Sequence, residues 1–153
     1  MNDLAKVWVY QSSRKFTDVE CTELTAGLEV FTTNWQAHGE DLTAKAQLIE
    51  QQFIVFFVDE TNHSASGCSI DSSVGFIKDI ENKLQINLTD KGLVGFVVNG
   101  EIEVLPLNKI KSTIEAGTIT PETIVFNNSV TTWKEFQENW RIPAKNSWMK
   151  RFF

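Results

Sequence analysis

Apolar positions along this chain divide into blocks with strand-like and helix-like spacing, and the breaks between them fall at turn-forming residues. Lys6-Val7-Trp8-Val9-Tyr10 is β-branched and aromatic and is followed by polar Gln11 to Lys15, which predicts a strand and then a loop. Thr17 and Glu20 make a capping box, and Leu24, Leu28, Phe31 and Trp35 recur at offsets of four, three and four on one helical face. Cys21 lies on that same face and reads as a small buried hydrophobe. This first helix is expected to end near Asn34 to Gly39, where Gly39 suits a left-handed cap.

Leu42 to Ile49 and Gln52 to Val58 read as two strands joined across Glu50-Gln51. The second is so continuously apolar that both of its faces should be covered, which places it at the centre of a sheet. A loop from Asp59 to Ile70 leads to a second helix, with Asp71 or Ser72 as its cap and with Val74, Ile77, Ile80 and Leu84 on its buried face. Its polar face carries Lys78, Asp79, Glu81 and Lys83. After a short segment, Ile86 to Leu88, Leu93 to Val98 and Glu101 to Leu105 flank Asn99-Gly100, the strongest hairpin signal in the chain. Pro106 ends that hairpin. Leu107 to Ala116 then predicts a short helix stopped by Gly117, Thr123 to Phe126 a last strand, and Val130 to Trp140 a further helix. Beyond Pro143 the pattern is irregular and aromatic, ending Trp148-Met149-Lys150-Arg151-Phe152-Phe153, a tail expected to fold back on the rest.

Irregular alternation of helices and strands, with sharp hairpins, predicts an α+β fold. The expectation is a mainly antiparallel sheet with three to four helices packed on one face, and a single globular domain over 1–153. With 42% apolar and 22% charged residues the composition is that of an ordinary globular protein. A formal net charge of −6 argues against nucleic acid or an anionic membrane as partner, since both need clustered Lys and Arg. The start of the chain carries no run of signal-peptide length, and the longest apolar run, Phe53 to Val58, is too short to cross a bilayer, so a cytoplasmic setting is expected. There the two cysteines, Cys21 and Cys68, are expected as free thiols.

Chemistry concentrates in Ser64-Ala65-Ser66-Gly67-Cys68-Ser69-Ile70-Asp71, between the apolar strand and the second helix. A thiol at a helix entrance sits near the positive end of the helix dipole, and Gly67 lets backbone approach a ligand closely. Ser66, Gly67, Ser69, Asp71 and Ser72 are therefore candidate ligands of a small anion, through hydroxyls and backbone N–H groups. Cys68 is a candidate nucleophile, with His63 in the same loop or His38 in another as its base. No recognised metal-ligand spacing is present, and neither a metal nor a cofactor is expected. Phe53-Ile54-Val55-Phe56-Phe57-Val58-Asp59-Glu60 has the outline of a Walker B strand. Yet no glycine in the chain is followed by lysine, so a phosphate-cradling loop is missing and ATPase activity is not expected.

Trp8-Val9-Tyr10, Asn34-Trp35-Gln36-Ala37-His38-Gly39, Ala65 to Asp71 and Thr123-Ile124-Val125-Phe126-Asn127-Asn128 together resemble a family of small uncharacterised bacterial proteins sometimes labelled ABC-transporter ATPases. The resemblance covers most of the chain and implies no catalytic residues. The expectation from sequence is a non-catalytic domain whose 66–72 loop holds a small anionic ligand or a protein partner. The alternative is a small cysteine-dependent enzyme or thiol carrier built on Cys68.

Overall fold

The central strand explains the architecture, because every one of its side chains needs cover. In a computed structural model that describes residues 2–37, 40–41, 43–59 and 67–153, with the side chains of 36–37, 40–41 and 67–70 outside that description, the chain forms nine strands and four α-helices among the described residues. In order they are β1 (Lys6–Gln11), α1 (Asp18–Asn34), β2 (Gln36–Ala37), β3 (Glu40–Asp41), β4 (Thr43–Ile49), β5 (Phe53–Asp59) and α2 (Gly67–Leu84). Then follow β6 (Leu93–Val98), β7 (Glu101–Pro106), α3 (Ile110–Glu115), β8 (Ile124–Phe126), α4 (Trp133–Asn139) and β9 (Arg141–Pro143). The fold is α+β, and all of its strand pairings are antiparallel.

β5 lies between β1 and β4, with Phe56 opposite both Trp8 and Ala46. Because side chains alternate across a strand, Ile54, Phe56 and Val58 face Leu24, Leu28, Ile77 and Ile80 of α1 and α2. Phe53, Val55 and Phe57 face the other way, into a second cluster with Val7, Phe126, Val130 and Trp140. Both faces of β5 are thus buried, as its unbroken apolar run predicts.

A second sheet, in the order β7-β6-β8-β9, supplies part of that second cluster through Phe126, Val97 and Ile102. Its opposite face, with Phe96 and Val125, is covered by Ile110 of α3, by Ile119, and by Ala144 and Met149 of the C-terminal segment. Two sheets therefore stack face to face between two outer layers, rather than one sheet carrying all its helices on one side. The physical reason is that the hairpin turning at Asn99-Gly100 opens a sheet with an apolar face of its own, which needs its own cover. The tail provides that cover: β9 pairs with β8, and Ala144 and Met149 are fully buried.

Turn chemistry fixes both main hairpins. Glu50 and Gln51 adopt positive φ at the β4–β5 turn, and Asn99 and Gly100 do so at the β6–β7 turn, as the primed two-residue turns require. Gly117 ends α3 in the left-handed region.

The end of α1 falls at the near edge of the expected range, and the starts of α2 and α4 differ from the sequence reading. α1 ends at Asn34 with Trp35 in extended backbone, because Trp35 turns into the core against Trp8 and Phe56; the expected left-handed cap, Gly39, lies outside the described residues. α2 begins at Gly67, so Asp71 and Ser72 occupy its second turn instead of capping it. Good capping residues are tolerated inside a helix where they face solvent, and the packing of Ile77 and Ile80 carries the helix through them. α4 begins only at Trp133, capped by the Thr132 hydroxyl, which accepts from the Glu135 N–H at 3.2 Å.

The predicted capping box of α1 is complete. Thr17 Oγ1 accepts from the Glu20 N–H at 3.1 Å, and Glu20 Oε1 accepts from the Thr17 N–H at 2.9 Å. Arg14 grips the same carboxylate in a fork, at 2.8 and 2.9 Å. The guanidinium first, and the Thr17 amide second, hold the Glu20 pKa down to about 2. A carboxylate depressed in the folded state stabilises above its unfolded pKa of about 4.3, and that contribution is lost as pH falls toward about 2. Glu20→Gln is therefore expected to lower the urea midpoint at neutral pH, with the gap from wild type closing as pH falls toward about 2. Thr17→Ala should cost about 1 kcal/mol at every pH in that range.

Candidate functional site

The residues singled out from sequence are only partly within the described structure. His38, His63 and Ser66 lie outside it, as do the side chains of Gly67, Cys68 and Ser69, whose backbone forms the first turn of α2. Asp71 and Ser72 are exposed on the second turn. Of the acidic pair at the end of the Walker B-like strand, Asp59 closes β5 and Glu60 is outside the described residues. Cys21 is a free, half-buried thiol packed against the core, and burial pushes its pKa up, which suits a structural residue.

The described structure instead brings a different set together. A cavity of about 510 Å³ opens where the end of β1, the segment before β6, Phe126 at the end of β8 with residues 127–129 after it, and the last turn of the chain converge. α2 reaches it through Val74, two residues beyond Ser72.

Side-chain amides run along this cleft in a single direction. The Trp140 indole can only donate, and its Nε1–H bonds Asn128 Oδ1 at 3.0 Å. That contact fixes the Asn128 amide, so its Nδ2 donates to Gln11 Oε1 at 3.0 Å. Gln11 Nε2 in turn faces the Leu93 carbonyl at 3.4 Å. Asn127 is oriented in the same sense, its Oδ1 accepting from the Ser129 N–H at 3.2 Å. In all three amides the oxygen accepts a bond from within the protein, and each amide nitrogen keeps at least one further N–H. Gly95 of β6 leaves room for this arrangement: a Cβ there would collide with Gln11 Oε1 and crowd Phe126 at 3.3 Å.

One wall is held by two carboxylates. Glu81 accepts from the Leu88 and Thr89 N–H groups at 2.7 and 3.0 Å and from the Thr89 hydroxyl at 3.0 Å. Burial opposes its ionisation, but these three donors together bring its pKa below the ordinary value. Asp90 Oδ1 accepts from the Gly92 N–H at 2.8 Å. Between these anchors Lys91 lines the cleft, and Arg151 lines it from the C-terminal turn. Neither cation makes an ion pair among the described residues. At the rim Leu107 and Trp148 are 51% and 43% exposed, and Trp148 meets Phe152 edge-on. Deeper in, Tyr10 packs edge-on against Phe56 and shares a hydrogen bond with Ser73 of α2, and burial holds its phenol above the usual pKa.

Sequence reading missed this site because its polar members are far apart: Gln11 and Asn128 are separated by 117 positions. The local signal was the Asn127-Asn128 doublet directly after an apolar strand, which by itself reads as a turn. No protein-family model, curated protein or solved structure matches the chain.

Proposed function

We propose that this chain is a non-catalytic binding domain whose recognition surface is the cleft between the end of β1, the start of β6 and the segment after β8. The observation that supports this most directly is the oriented row of amides along a cavity of about 510 Å³. That volume falls within the range of small-molecule sites, which combine apolar walls with a few fixed polar groups. α2 lines the cleft through Val74, two residues beyond Ser72. The free thiol at Cys21 supports a reducing, cytoplasmic setting. No helix among the described residues is long and apolar enough to cross a membrane.

The test is a fragment screen by two-dimensional amide NMR on the full chain. Fragments that bind are expected to move the amides of residues 9–11, 88–94 and 126–129 together and to saturate. Hits confined to a second groove, between α1 and α2 and lined by Leu24, Gly27, Phe76 and Ile80, or no saturable shifts in the cleft, would overturn the reading.

A further inference from the structure

The cleft is biased toward one kind of ligand. Its three oriented amides have their oxygens engaged within the protein, and each amide nitrogen carries at least one N–H beyond those bonds. Two cations with no ion pair among the described residues, Lys91 and Arg151, line it, the Arg151 guanidinium also resting over the Phe152 ring at 4.9 Å; the single lining carboxylate among the described residues, Asp90, is engaged by the Gly92 N–H. In a chain of net charge −6, such a local excess of positive charge and donors runs against the overall field. The rim adds a half-exposed indole, Trp148, and an exposed aliphatic side chain, Leu107, to which a flat apolar body can stack.

We infer that the cleft takes a small aromatic molecule bearing an oxyanion, a carboxylate or a phosphate, with its charge between Lys91 and Arg151 and its ring against Trp148; this rests on the binding reading above. The oxyanion accepts from the amide N–H groups and the two cations, and such charge-assisted bonds are about twice as strong as neutral ones. Each half of the ligand has its own partner, so neither half alone should bind well.

Four probes separate these parts: phenyl phosphate, phenylacetate, inorganic phosphate and benzyl alcohol, each titrated into the full chain and followed by two-dimensional amide NMR. The expected result is that one or both aromatic anions move the amides of Lys91 and residues 127–129, and bind at least about tenfold more tightly than inorganic phosphate or benzyl alcohol. Comparing phenyl phosphate with phenylacetate then says which oxyanion is preferred. The exposed pair Lys91→Gln with Arg151→Gln should weaken the better anion by about tenfold or more, with an otherwise unchanged amide spectrum showing that the fold is intact. Benzyl alcohol binding in the cleft as tightly as the anions would overturn the inference and leave the cleft as a binding site. Neutral and anionic probes all failing there, together with an empty fragment screen, would overturn both.

Discussion

Phe56→Ala is expected to lower the stability to urea by about 3–5 kcal/mol, the usual cost of emptying a fully buried phenylalanine site. Phe56 is wholly buried and meets three other rings, Tyr10 at 5.9 Å, Phe31 at 5.9 Å and Trp35 at 5.8 Å, all in tilted or edge-on geometry. Those neighbours are anchored on β1, on α1 and just beyond its end, so the space left behind cannot close by one side chain moving. Its neighbour in sequence makes the sharper test. Phe57 points to the opposite face of β5, where it meets Trp133 at 5.0 Å and Phe136 at 5.5 Å. If the central strand joins two separate cores, Phe57→Ala should cost as much as Phe56→Ala. Phe153→Ala, at an exposed ring, should stay within about 0.5 kcal/mol of wild type. A small loss from Phe57→Ala beside a large one from Phe56→Ala would mean that the layer between the two sheets is not a core at all.

That two-sided strand was legible in the sequence, and the reason is locality. Phe53 to Val58 has no polar residue to turn toward water, so its burial follows from the run itself. Asn99-Gly100 and the Thr17/Glu20 box are likewise decided by residues within four positions of each other, and both are found where expected. The second sheet was less legible. Phe96 of β6 pairs with Val125 of β8 across the whole of α3, and nothing near either residue announces the other. The C-terminal segment shows the same limit: Pro143 reads as the end of regular structure, yet it pairs with Ile124 because Met149 and Ala144 need the apolar face behind it. The site followed the same rule. Residues 66–72 stood out because small polar residues around a cysteine form a local pattern, whereas Gln11, Asn128 and Trp140 are made neighbours only by the packing of β1 against β8 and β9.

Asn128 is the residue on which the stability and the chemistry of the cleft meet. Asn128→Ala leaves the Trp140 N–H and Gln11 Oε1 without their partners in a largely buried setting, and should cost about 2–4 kcal/mol in urea denaturation. Asn128→Asp behaves differently. A carboxylate of the same shape still accepts from the Trp140 N–H, but it now faces Gln11 Oε1 with a second acceptor. The Gln11 amide can turn to donate instead, which loses its long contact to Leu93 at 3.4 Å and sets its oxygen toward that carbonyl. The aspartate variant should therefore be destabilised less than the alanine variant, by about 1–2 kcal/mol. It should nevertheless bind phenyl phosphate at least about tenfold more weakly than wild type, because a residue lining the cleft has exchanged an N–H donor for a negative charge. The two effects are read separately, by denaturation and by NMR titration. An aspartate variant as unstable as the alanine one would show that Gln11 cannot turn. If it instead bound phenyl phosphate with wild-type affinity, the amide row would be a feature of the core and not of a ligand site.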